Sequence, residues 1–211
     1  MNDQLLELVD ELSRVGADAV QRGLALASGG NLSVRVPGAD EFAITGAGTF
    51  LDRLTVDTYA VVDLEGRTTD PSSSVRPSSE WKLHQRTYRA RPDVNCIIHL
   101  HPQYAVLLDA LGHRVRFFTL DHAFYVKSIG RTDFYPNGSD ELADTAALEA
   151  GNHNCIIMGH HGSSAIGPDI EMAYRRAVNM EQAAEATYRA LLLGDTESEF
   201  PPEQWEKLHH D

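Results

Sequence analysis

Cysteine is scarce: the chain of 211 residues has two, Cys96 and Cys155. Two thiols cannot build a disulfide framework, and each lies in an apolar, strand-like run, so both read as buried free thiols. Basic residues are also in short supply, 18 Lys and Arg against 31 Asp and Glu, for a formal net charge of −13. That balance argues against nucleic acid or an anionic membrane as the main partner, since both reward Lys and Arg. An anion can still be held in a local pocket of N–H donors, hydroxyls or metal. No apolar run approaches membrane-spanning length. Met1-Asn2-Asp3-Gln4 starts a polar–apolar pattern without a basic segment leading into an apolar one, so the expected location is the cytoplasm. There is no Gly-x-Ser-x-Gly elbow and no Walker A loop, which counts against hydrolase and nucleotide-kinase chemistry. Gly46-x-Gly48 lacks the third glycine and the strand–helix setting of a dinucleotide fingerprint, so NAD binding is rejected.

The hydrophobic content of 42% is ordinary for a globular protein, and the length suits one domain with a tail. Residues 1–194 are expected to form that domain and residues 195–211 an acidic tail, with Trp205 as its docking residue. Leu5, Leu8, Val9, Leu12 and Val15 have helical spacing over residues 3–23. Alternation then predicts strands over residues 32–36, 41–45 and 59–64, in antiparallel-meander order. Ser78 or Ser79 is the expected N-cap of a helix reaching Arg91, with Glu80 in its first turn and Pro92 ending it. The apolar run from Val94 to Leu100 reads as a buried strand, with Pro102 opening a short helix to Leu111. Residues 115–126 look strand-like. Ser139 caps a helix through Ala150, residues 155–158 form a strand resumed at 164–167, and Asp169 caps a long helix ended by Gly194. The class is α/β: a largely antiparallel sheet layered with helices.

Chemistry concentrates at Ile98-His99-Leu100-His101. Alternate side chains of a strand share a face, so His99 and His101 point one way while Ile98 and Leu100 point the other. Two preorganised imidazoles suit a divalent metal; the bland alternative is one hydrogen-bonded core His and one surface His. Gly159-His160-His161-Gly162 follows a second buried strand and offers a third ligand, His160 or His161. Three His with an open fourth position is the pattern of a catalytic zinc site. Glu80 could fill that position or act as general base beside it, or could simply serve as a first-turn carboxylate. His84, one turn on, shares its face. Ser28-Gly29-Gly30-Asn31, Gly46-Ala47-Gly48-Thr49 and Ser78-Ser79 are small-residue turns that together could cradle a phosphate.

Gly30-Asn31-x-Ser33-x-Arg35, Ile44-Thr45-x-x-Gly48, Pro77-Ser78-Ser79-Glu80-Trp81, His99-x-His101 and His160-His161-Gly162 occur in the order and spacing of the class II aldolase/adducin family, which this sequence resembles over about residues 5–195. The resemblance implies a three-layer α/β/α fold around a mainly antiparallel sheet, and a zinc enzyme assembled as a homotetramer with active sites between subunits. It implies His99, His101 and His161 as zinc ligands, and Glu80 as the acid/base that also ligates the resting metal. It places the phosphate of a sugar-phosphate substrate among Ser28, Gly30, Asn31, Gly48, Ser78 and Ser79. The implied reaction is reversible cleavage of a fuculose-1-phosphate-like ketose 1-phosphate to dihydroxyacetone phosphate and an aldehyde, through an enediolate whose charge the metal stabilises. Other chemistries of the family are 4-epimerisation, dehydration and sugar-acid-phosphate decarboxylation; a non-catalytic, adducin-like scaffold is a further alternative. Two departures stand out. Gly46-Ala47 replaces a Pro-Thr pair that supplies a phosphate hydroxyl, with Thr49 nearby. No motif marks the tyrosine proton donor of the adjacent subunit, for which Asp121, His122, Tyr125 and Tyr135 are the candidates.

Overall fold

The structure is a computed structural model that describes residues 1–69 and 74–208, without the side chains of Trp205, Glu206 and Leu208. Seven strands form one sheet in the order β3-β2-β1-β4-β7-β6-β5. They are β1 (Asn31–Val34), β2 (Glu41–Thr45), β3 (Tyr59–Asp63), β4 (Cys96–Leu100), β5 (Ile129–Thr132), β6 (Cys155–Met158) and β7 (Gly162–Gly167). Every neighbouring pair is antiparallel except β5 with β6. Among the described residues five α-helices cover it: α1 (Asp3–Gln21), α2 (Trp81–Ala90), α3 (Gln103–Ala110), α4 (Asp140–Ala150) and α5 (Ile170–Leu192).

Period-two alternation divides the sheet into two faces. Cys96, Ile98 and Leu100 of β4 join the core that α1, α3 and α5 close, with Leu5, Val9, Leu12, Ala105, Leu108, Ala173 and Met180. Ile97 faces the other way, into a second core shared with Tyr88 of α2 and Ala150 of α4. The expected three-layer α/β/α arrangement is therefore present. Asn31 stands opposite His99 in the β1–β4 ladder, and Ser33 opposite Ile97. That register puts Asn31, Ser33 and His99 on the face beneath α2.

Several local expectations hold. Ser139 and Asp169 cap α4 and α5 by accepting from Leu142 and Met172 N–H. Asn2 caps α1 in the same way, accepting from Leu5 N–H. Others need correction. The N-cap of α2 is Glu80, not Ser78 or Ser79, and its side chain makes no capping hydrogen bond. The preceding segment is instead stitched to the β2 end, with Ser78 N–H donating to Thr45 O at 3.0 Å and Ala47 N–H to Arg76 O at 2.9 Å. Glu80 is thereby turned inward. Pro102 is the N-cap of α3 rather than its first residue. Residues 115–126 contain no strand: Val126 and Phe117 are buried in the core, but His122–Val126 form a π-type turn. The missing strand is β5, just beyond.

The segment that follows α5 is anchored. Buried Arg116 donates to Asp195 O and Ser198 O, both at 2.8 Å, and pairs with the Asp195 carboxylate at 3.3 Å. Phe200 packs against the main core. Docking through Trp205 lies outside the described side chains. Among the described residues no helix is long and apolar enough to cross a membrane.

Candidate metal centre

Glu80, His99, His101 and His161 converge, each offering one ligand atom, with those atoms all within 4.8 Å of one another. His99 and His101 arrive by strand alternation. His161 arrives by the hairpin between β6 and β7, whose ladder closes at Met158 and Gly162. His160 takes a left-handed backbone conformation (φ 54°) and is exposed, which turns His161 inward. Between His160 and His161, the structure brings only His161 to the other imidazoles. Gly162 allows the close approach: a Cβ there would lie 2.6 Å from Leu100 O and 2.7 Å from His101 Cδ2. Gly30 does the same from the other side, at φ 87°, where a Cβ would stand 2.6 Å from His99 O.

The donor set fits a divalent metal. His99 Nδ1 stands 3.0 Å from Ser163 O, a carbonyl that can only accept, so Nδ1 carries the hydrogen and a neutral ring has a bare Nε2. His99 Nε2 is 3.2 Å from His101 Nε2 and 3.1 Å from Glu80 Oε2, and His161 Nε2 is 3.3 Å from Glu80 Oε1. Donors bound about 2.0–2.1 Å from a tetrahedral zinc stand roughly 3.3 Å apart, close to these three separations. Glu80 Oε1 is buried without a hydrogen-bond partner, as a ligand oxygen would be. Burial opposes ionisation of Glu80, but the imidazoles of His99 and His161 and the Asn31 amide outweigh it and hold the carboxyl well below its usual range. Burial, reinforced by His99, pulls His161 down and, with His161 as well, His101 to about 4. At neutral pH those two rings therefore offer lone pairs.

A recess of about 90 Å³ opens beside this cluster, with Glu80 and His101 in its wall. All six residues expected around a phosphate line it: Ser28, Gly30, Asn31, Gly48, Ser78 and Ser79. Gly46, Ala47, Thr49 and Asn137 complete it. The Thr49 hydroxyl donates to Gly46 O at 2.8 Å, so as placed it holds its own turn. Asn137, from the loop before α4, escaped the sequence reading. Its only hint was an Asn-Gly turn, and its amide lies 3.4 Å from Ser79 Oγ. Both ends of the Asn31 amide are already engaged, with Glu80 at 2.8 Å and His84 at 2.6 Å. Burial pulls His84 down to about 3, so it too is neutral.

The acid candidates of residues 121–135 do not reach the cluster within the protomer. Asp121 is exposed, and His122 is buried with Nδ1 accepting from Phe118 N–H at 3.3 Å. Tyr125 OH accepts from Arg175 at 2.5 Å on α5, and Tyr135 packs against Leu83, Leu142, Ala146 and Met158. A larger cavity, about 540 Å³ between Asp109, His113, Phe117 and Ile129, contains none of the cluster residues.

Comparison with known proteins agrees with this geometry. Residues 10–188 match the sequence profile of the Class II Aldolase and Adducin N-terminal domain. The chain is 33% identical over 172 residues to an L-fuculose phosphate aldolase of Methanocaldococcus jannaschii, covering 82% of this chain and 91% of that protein. It is 30% identical over 202 residues to a 5-methylthioribulose-1-phosphate/5-deoxyribulose-1-phosphate aldolase of Rhodospirillum rubrum, covering 95% and 87%. Among solved structures, an L-fuculose 1-phosphate aldolase superposes with a TM-score of 0.87 at 27% identity, covering 96% of this chain and 94% of that one.

Proposed function

The chain belongs to the class II aldolase and adducin family and is an aldehyde-lyase, and on that premise we propose that it reversibly cleaves a ketose 1-phosphate to dihydroxyacetone phosphate and an aldehyde. One observation carries the reading: the four-ligand cluster and the hydroxyl- and amide-lined recess share Glu80 and His101. A substrate with a phosphate next to a pair of chelating oxygens would occupy both at once. Ser28, Ser78, Ser79 and the glycine turns would hold the phosphate through hydroxyls and backbone N–H groups, with no Lys or Arg among the described residues that line the recess.

His99, His101, His161 and Glu80 would hold zinc. When bound, the ion supplies Lewis-acid stabilisation of negative charge developing on the substrate's adjacent oxygens. In the cleavage direction a second acid/base group takes the C4 hydroxyl proton, the C3–C4 bond breaks, and its electron pair remains on the ketone fragment. Glu80, having taken a proton from solvent, delivers it to C3 and is ionised again, while the second group gives up the O4 proton to solvent. In the synthetic direction the same carboxylate, kept ionised by its surroundings, removes that proton. A second acid serves the aldehyde oxygen. Asp121, His122 and Tyr125 lie away from their own cluster, and Leu120 and Phe124 beside them expose apolar surface. This supports assembly as a homotetramer in which a neighbouring copy supplies that acid.

The test is the release of dihydroxyacetone phosphate by the zinc-loaded enzyme from fuculose 1-phosphate, 5-deoxyribulose 1-phosphate and 5-methylthioribulose 1-phosphate. Glu80→Gln should lower kcat by about 10²–10⁴-fold. Full activity in that variant would overturn the role of Glu80. Products retaining the intact carbon chain would instead indicate epimerisation or dehydration at the same centre. The intact ligand set argues against a purely structural, adducin-like role.

A further inference from the structure

A line of five buried side chains runs from the core to Glu80. Tyr88 OH lies 2.7 Å from Ser33 Oγ, and Ser33 Oγ 2.6 Å from His84 Nδ1. His84 Nε2 lies 2.6 Å from Asn31 Oδ1, and Asn31 Nδ2 2.8 Å from Glu80 Oε2. Ser33 and His84 have no exposed surface. Two elements meet here: Asn31 and Ser33 are alternate residues of β1, while His84 and Tyr88 are one turn apart on α2.

The direction of every bond follows from one end. An ionised carboxylate only accepts, so the Asn31 amide must present its NH₂ to Glu80. Its carbonyl then faces His84, which must carry its hydrogen on Nε2. The bare Nδ1 accepts from the Ser33 hydroxyl, and Ser33 in turn accepts from Tyr88. Burial pushes the Tyr88 phenol well above its ordinary range, so it remains a donor. Arg35 stacks over the Tyr88 ring at 4.8 Å and Phe42 packs against it at 5.1 Å, which fixes the far end.

We propose that His84 is a positioning residue, locked as the Nε2–H tautomer, that sets the Asn31 amide and through it the Glu80 carboxylate. If His84 could not donate, Asn31 would be free to flip and would turn its carbonyl oxygen onto Glu80. Two acceptors would then face one another, and the carboxylate would leave its place between His99 and His161. The kinetic consequence of that displacement rests on Glu80 as the acid/base of the proposed aldolase; the tautomer and the metal affinity do not.

The tautomer is read directly from the metal-free, ¹⁵N-histidine-labelled protein at pH 7, with the His84 signal assigned by its loss in His84→Met. A bare Nδ1 and protonated Nε2 are expected; an Nδ1–H or doubly protonated ring overturns the proposal. His84→Met should raise the zinc dissociation constant about tenfold and lower kcat about 10–100-fold at nearly constant KM, the range for groups that orient metal ligands. His84→Gln, whose amide can donate to Asn31, should keep kcat within about threefold of wild type. Unchanged zinc affinity and kcat in His84→Met, or an equal loss in both variants, overturns it. If the wild-type protein cleaves no ketose 1-phosphate, the aldolase reading fails while the tautomer and zinc affinity still decide the role of His84.

Discussion

Gly162→Ala places a methyl group where β4 meets the β6–β7 hairpin, between the candidate metal ligands. The added Cβ would stand 2.6 Å from Leu100 O, 2.7 Å from His101 Cδ2 and 3.0 Å from His99 Cε1. Carbon atoms pack best about 3.5–4.0 Å apart, so the His101 contact is roughly 0.8 Å too short. Leu100 O belongs to β4, whose ladder with β7 runs through Leu100 and Ser163, so it cannot swing aside. Relief must come from parting β4 and β7 or from rotating the imidazoles. Overpacking costs about 1–3 kcal/mol, and a backbone neighbour puts this site near the upper end. For a chain of this size each kcal/mol is worth about 2–4 °C, so the metal-free protein should melt about 6–12 °C lower. The displaced rings are metal ligands in the proposed centre, so zinc affinity should fall at least tenfold, about 1.4 kcal/mol. Thermal melts of the metal-free variant and a competitive chelator titration check both numbers. A melting point within 2 °C of wild type together with unchanged zinc affinity would refute the packing argument, roughly as stated.

Two further outcomes are expected. Glu181 of α5 accepts from Tyr104 N–H at 2.8 Å and Ala105 N–H at 2.9 Å, capping α3 just after His101, and burial outweighs those donors to raise its carboxyl from 4.5 to about 7. An acid raised on folding favours the fold fully below about pH 4.5 and loses that contribution as pH climbs to about 7. The stability difference between wild type and Glu181→Gln should therefore shift against wild type by about 3 kcal/mol across that window. Urea midpoints at several pH values measure it, and a flat difference would mean that the α3 N-terminus keeps Glu181 ionised. Arg116→Met removes the donors that hold Asp195 and Ser198, so amides of residues 195–208 should exchange faster, with about 1–3 kcal/mol lost overall. Unchanged exchange in that segment would show that Phe200 and its neighbours suffice to dock it.

What could be read from the sequence was whatever a short period encodes. The placement of His99 and His101 on one face follows from strand alternation, and so does the division of β4 between two cores. The caps at Ser139 and Asp169 are local chemistry and are found where side-chain oxygens precede helical runs. The same local rule fails at Ser78 and Ser79, because a tertiary bond to Thr45 competes for that backbone and leaves Glu80 at the cap. β5 escaped for a related reason. Ile129–Thr132 holds a glycine and an arginine in four residues and becomes a strand only by parallel pairing with β6, whereas the more strand-like residues 115–126 bury Phe117 and Val126 without pairing. His84 shows the limit most sharply. Its spacing from Glu80 suggested a shared helix face, yet its partners are Asn31 and Ser33, some fifty residues away on β1. Alternation places those two on the face that α2 covers, but only the register of β1 against β4 puts Asn31 opposite His99. The candidate metal ligands were legible one strand at a time; the group proposed to orient Glu80 exists only where a strand and a helix cross.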